Sequence, residues 1–152
     1  IFTKHHLILF TPNWIATETK YQEYLLFLRT ISNKTPCVLI NELDSAQVIE
    51  VHDGILVAIQ EAQDEQGNWV GIEYFSFSGC GNSFWRHLVP PHHVMMFGVN
   101  KYQGNFKTKL RVRLQTNGTT LVSNEYSGYI NKGQLEKPDF KFGWNSYLNE
   151  ED

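Results

Sequence analysis

The chain has 152 residues, 41% hydrophobic, 14% aromatic and 19% charged, with a formal net charge of −3 at pH 7. That length suits one compact domain with a real core, and the apolar content excludes a disordered chain. The negative balance excludes whole-domain attachment to a polyanion, and no apolar run reaches the roughly 20 residues of a membrane-spanning helix, so the sequence reads as a soluble protein.

Residues 6–10 predict a short strand that stops at Thr11-Pro12, where proline removes a ladder donor. From Thr19 the period changes: Tyr21, Tyr24, Leu25, Leu28 and Ile31 recur at helical spacing, Thr19 and Gln22 supply a capping box, and Asn33 closes the segment before Pro36. Such an apolar stripe predicts one amphipathic helix lying on a sheet. Cys37-Val38-Leu39-Ile40 predicts a buried strand. Residues 48–51 and 55–59 flank Asp53-Gly54, the strongest short hairpin signal available, and a third strand over 69–77 completes a meander. Gly79, Gly81, Pro90 and Pro91 interrupt the pattern over 78–91, predicting a loop that is either functional or a structural crossing.

Strand character returns over 93–102 and again from Phe106, where apolar and cationic residues alternate. A period of two puts Leu110, Val112 and Leu114 on one face and Lys107, Lys109, Arg111 and Arg113 in a row on the other. The following hairpin around Asn117-Gly118 admits two registers. A two-residue loop sets Leu114 opposite Leu121 but Leu110 opposite Glu125. A three-residue loop sets Val112 opposite Val122 and Lys109 opposite Glu125, sorting apolar with apolar and charge with charge, and is the register expected. Residues 140–144 alternate like a last strand, and 145–152 read as a frayed acidic terminus. The fold class expected is α+β: two antiparallel meanders, forming a curved sheet or half-open barrel, packed on one N-terminal amphipathic helix within a single domain over 1–152.

Reactive side chains concentrate between Cys80 and His93. Glycines on both sides of Cys80 open its backbone to a substrate, and an imidazole from His87 or His92 would draw the thiol toward thiolate, as a thiol-dependent hydrolase or transferase requires. The adjacent His92 and His93 point to opposite sides of an extended chain and no zinc-binding spacing is present, so no metal or cofactor is assigned. The compartment expected is the cytoplasm, with Cys37 and Cys80 as reduced thiols; the alternative is a secreted protein with one Cys37–Cys80 disulfide, toward which the sequons at Asn33 and Asn117 count.

For the cationic row, same-face residues on a strand stand roughly 7 Å apart, near the phosphate spacing of an extended single strand, and Tyr102, Tyr126 and Tyr129 offer stacking faces. Trp69, Trp85 and Trp144 suggest a platform for a sugar or another flat ligand. The function expected is non-catalytic binding of a small ligand or protein, with an anionic partner on the cationic strand. Its contacts are Trp85, Arg86, Lys107, Lys109, Arg111 and Arg113. The alternatives are the Cys80 enzyme and single-stranded nucleic-acid binding.

Overall fold

The computed structural model describes residues 7–10, 33–117, 119–137 and 144–148, and these form antiparallel β-structure throughout. The first sheet has the order β1 (Leu7–Phe10), β2 (Lys34–Asn41) and β9 (Val94–Asn100). Pro36 sits in β2 opposite Gly98 but beyond the reach of β1, which pairs only with Val38 to Asn41, so its missing N–H interrupts no ladder on that side.

The second sheet runs β4 (Ile55–Leu56), β3 (Gln47–His52), β10 (Phe106–Thr116), β5 (Ala58–Gln63) and β6 (Trp69–Gly71). Strand β8 (Phe84–Val89) adds to β3, and β11 (Thr119–Val122) and β12 (Tyr126–Ile130) both add to β10. A small third sheet joins β7 (Phe75–Phe77) to β13 (Trp144–Ser146).

The Asp53-Gly54 hairpin forms as the sequence predicts. Val51 pairs with Leu56 and His52 with Ile55, and both loop residues are left-handed, with φ of 50° and 79°. Tyr147 and Leu148, in the stretch read as the start of a frayed end, are buried against Val57, Ile59 and Phe75.

Three expectations are corrected. The helix from Thr19 to Asn33 lies, but for Asn33, outside the described residues, and among the described residues no helix reaches seven residues. The described residues include two short 3₁₀ turns, Gly81–Ser83 and Lys132–Leu135. The α+β arrangement of two meanders on a helix gives way to sheet on sheet, and neither meander forms, because β10 inserts between β3 and β5 and β9 pairs with β2. Cys37, Leu39 and Val99 of the first sheet pack against Ile49, Val89, Val112 and Leu114 of the second.

The second correction is the register after β10. Thr116 pairs with Thr119 and Leu114 with Leu121, the two-residue register that the sequence argument set aside. The pairing then steps: Arg113 faces Val122, but Leu110 faces Tyr126, so Ser123, Asn124 and Glu125 stand opposite only Arg111 and Val112. This one-residue β-bulge keeps Glu125 from facing Leu110 and still leaves it 2.7 Å from Lys109.

The segment expected as a loop over 78–91 contains strand β8 and ends in a crossing between the two large sheets. Fully buried Asn41 fixes that crossing. Its side-chain amide donates to the carbonyls of Ser45, Val89 and Pro90 at 2.9–3.0 Å, and its amide N–H donates to His93 O at 3.0 Å.

Candidate functional site

The cationic row of β10 is occupied by its own protein. β10 is an inner strand, with β5 on one side and β11 and β12 on the other. Glu61, on β5 directly opposite Arg111, is 3% exposed in its side chain and takes Arg111 Nε at 2.5 Å and Arg113 Nε at 3.0 Å on its two carboxylate oxygens. The Arg111 guanidinium also lies 4.2 Å from the centroid of the Trp69 ring. Lys109 is paired with Glu125, leaving Lys107 as the member of the row without a carboxylate within 4 Å among the described residues. A buried charge this well matched is structural, and it weakens the case for a polyanion surface.

Two of the three tyrosines offered for base stacking are likewise engaged. Tyr126 donates its phenol to Gln60 Oε1 at 2.5 Å and Tyr102 donates to Glu73, while Tyr129 is exposed. Gln60 is fully buried; its N–H donates to Glu73 Oε1 at 2.7 Å and its side-chain amide to Asn100 O at 2.9 Å. Burial first, and then the Glu73 carboxylate, hold the Cys37 thiol well above its ordinary range.

The thiol-enzyme residues do not form a constellation. Cys80 is exposed, free and without a hydrogen bond from its sulfur to any imidazole among the described residues. His87 is exposed on β8, and His92, left-handed at φ 56°, places Nε2 2.9 Å from Asp44 Oδ1 in the crossing turn. Cys37 is buried and also free, so the Cys37–Cys80 disulfide is absent. Among the described residues no three His, Cys, Asp or Glu converge on a metal-sized site, and no described helix is long and apolar enough to cross a membrane.

What does stand open is β8. Its first five residues are exposed, with Phe84, Trp85 and Leu88 at 56%, 66% and 58%. Among the described residues the strand is hydrogen-bonded on one side only, to β3. The Trp85 indole is fixed despite its exposure, because Nε1 donates to Asn82 O at 2.7 Å. Beside it Val51, Asp53, Gly54, Arg86 and His87 complete an open depression of about 530 Å³.

The start of β8 is anchored from below by His52, a residue that the sequence reading passed over. Its ring is 2% exposed and lies edge-on to Phe75, Phe77 and Phe84, with centroids 5.9, 5.2 and 4.6 Å away. Ser78 donates its amide N–H to His52 Nε2 at 3.2 Å, which assigns the proton of the neutral ring to Nδ1, 3.5 Å from Asp53 Oδ2. Ser78 and Ser83 share a hydroxyl hydrogen bond of 2.8 Å, and Asp53 N–H donates to Ser83 O at 2.8 Å. Two of the ligand residues expected from sequence, Trp85 and Arg86, therefore meet at this site, whereas Lys109, Arg111 and Arg113 are consumed elsewhere.

Comparison with protein-family models, curated proteins and solved structures finds no match to this chain.

Proposed function

We propose that this protein is a non-catalytic binding domain whose partner surface is strand β8 with the Asp53-Gly54 turn beside it. The carrying observation is an edge strand that leaves Phe84, Trp85 and Leu88 more than half exposed while its other side is built into the sheet. Sheet proteins usually blunt an open edge with charged side chains, proline or a bulge; β8 has no proline, and Arg86 is its one arginine, lysine or carboxylate from Phe84 to Val89. Phe84 and Leu88 on one face of β8 and the anchored Trp85 on the other leave apolar surface on both sides of the edge, and the Trp85 face is oriented before a partner arrives. A cationic-strand reading for an anionic partner is less well supported, since Glu61 and Glu125 already occupy three of its four charges.

The test is a selection from a random peptide-display library together with a glycan array, run in parallel on the wild-type chain and on a Trp85→Ala/Leu88→Ser variant. Binders that are retained by the wild type and lost by the variant support the reading. Binders indifferent to the substitutions, or none at all, overturn it.

A further inference from the structure

We propose, resting on the reading of β8 as the binding surface, that its free edge accepts an extended peptide as an added antiparallel strand carrying an acidic residue between two apolar residues at alternate positions. The hydrogen-bond phase of β8 decides which of its backbone groups face outward. Asp53 N–H donates to Ser83 O in the same register that pairs His52 with Phe84 and Val51 with Trp85, so residues 53 and 83 form a hydrogen-bonded pair. Alternation along an antiparallel ladder makes Val51–Trp85 and Ile49–His87 the next such pairs. Trp85 and His87 therefore direct their N–H and C=O groups to β3, and Phe84, Arg86 and Leu88 turn theirs outward.

The same three residues share one face of the sheet. A strand joining this edge sets three of its own residues opposite Phe84, Arg86 and Leu88, on that face, within cross-strand contact. Two of those positions meet exposed apolar side chains. The middle one meets a guanidinium that has no carboxylate within 4 Å among the described residues, although Glu50 lies opposite it on β3. An apolar, acidic, apolar alternation completes both the backbone and the charge.

A second copy of this chain fits less well. Two β8 edges exchange hydrogen bonds through the same three residues, so the symmetric register of full overlap sets Arg86 against its own copy, and like charges directly opposite are destabilising. A sugar ring would stack on Trp85 and leave the outward backbone groups unused.

The experiment is fluorescence anisotropy on the full chain with three labelled peptides: T-V-T-E-T-V-T, T-V-T-K-T-V-T, and the first peptide N-methylated at its glutamate and both valines. The glutamate peptide is expected to bind at least about ten-fold more tightly than the lysine peptide, a difference on the scale of one desolvated charge-assisted contact. N-methylation abolishes binding, Arg86→Gln removes the charge preference and Arg86→Glu reverses it. No binding, equal binding of the glutamate and lysine peptides, undiminished binding of the N-methylated peptide, or a preference unchanged in both Arg86 variants overturns the inference. So does a dimer in sedimentation velocity that the glutamate peptide fails to dissociate. Library or glycan binders that depend on Trp85 and Leu88 but lack the acidic and apolar alternation would remove this inference and leave the β8 surface standing.

Discussion

Val112 and Ser123 exchange a pair of hydrogen bonds across the β-bulge: the Val112 N–H donates to Ser123 Oγ at 2.9 Å, and the Ser123 N–H donates to Val112 O at 2.8 Å. A side-chain oxygen thus stands in where the ladder steps, and it in turn donates to Asn124 O at 2.8 Å. Val112 is fully buried, so no water can substitute for that hydroxyl. Ser123→Ala is expected to cost about 1–3 kcal/mol, the usual penalty of an orphaned buried amide. Urea unfolding is the measurement; a loss near zero would mean that Val112 finds another acceptor and that the bulge does not depend on the serine.

Glu61 and Glu125 are both carboxylates beside β10, but only Glu61 is buried. Glu61→Gln leaves two largely buried guanidinium groups, 21% and 14% exposed in their side chains, without their anion, and is expected to destabilise by about 3 kcal/mol or more. Glu125→Gln, which breaks an ion pair about half exposed on both sides, is expected to lose less than about 1 kcal/mol. Comparable losses in thermal or urea unfolding would refute the assignment of Glu61 as the structural anion of the row.

The register at Asn117 shows where the sequence stopped being legible. Its premise, that Leu110 must not face Glu125, holds; a bulge six residues past Asn117 meets it as well as a longer loop does, and sequence spacing at the loop cannot distinguish the two. The Asp53-Gly54 turn was readable because a two-residue turn with both positions left-handed narrows the choice of residues severely. β8 was hidden by its flanks. Phe84-Trp85-Arg86-His87-Leu88-Val89 has strand composition, but glycines on one side and prolines on the other suggested a loop, and the missing signal was that the prolines begin only after Val89. Trp85 and Arg86 were found for their residue types, not for their strand. His52 carried no sequence signal at all, because its role comes from Ser78 and three phenylalanines brought in by the fold.

Alkaline pH should destabilise the protein through one buried thiol and two part-buried phenols. Burial first, and the Glu73 charge second, raise the Cys37 thiol above its ordinary 9.0; burial first also raises Tyr102 and Tyr126 above 10.0. A group whose folded value is raised contributes stability fully below the unfolded value and loses it as pH rises toward the folded one. Tm is therefore expected to hold up to about pH 8 and to decline progressively above about 9 as the unfolded chain ionises first. Cys37→Ala should lower Tm at neutral pH by leaving a small cavity, yet make the alkaline decline shallower. A decline of the same slope in the variant would show that the thiol takes no part in it. In the native wild type, iodoacetamide should modify Cys80 alone, with Cys37 reacting only after denaturant is added.

Gly104 and Gly128 are both glycines for want of space at β12, but different neighbours limit them. A β-carbon at Gly104 would lie 2.1 Å from the carbonyl carbon and oxygen of Ile130, whereas one at Gly128 would lie 2.3 Å from Leu110 Cδ1. A leucine methyl can turn to another rotamer at modest cost, but a peptide group held at the end of a strand cannot move without its ladder, and Ile130 is itself fully buried opposite Phe106. Gly104→Ala is accordingly expected to cost about 3 kcal/mol or more and Gly128→Ala about 1–2 kcal/mol. Urea midpoints at equal m-value decide the order. If Gly128→Ala proves the worse of the two, then Leu110 has no free rotamer, and the end of β12 near Ile130 shifts more readily than its pairing with β10 implies.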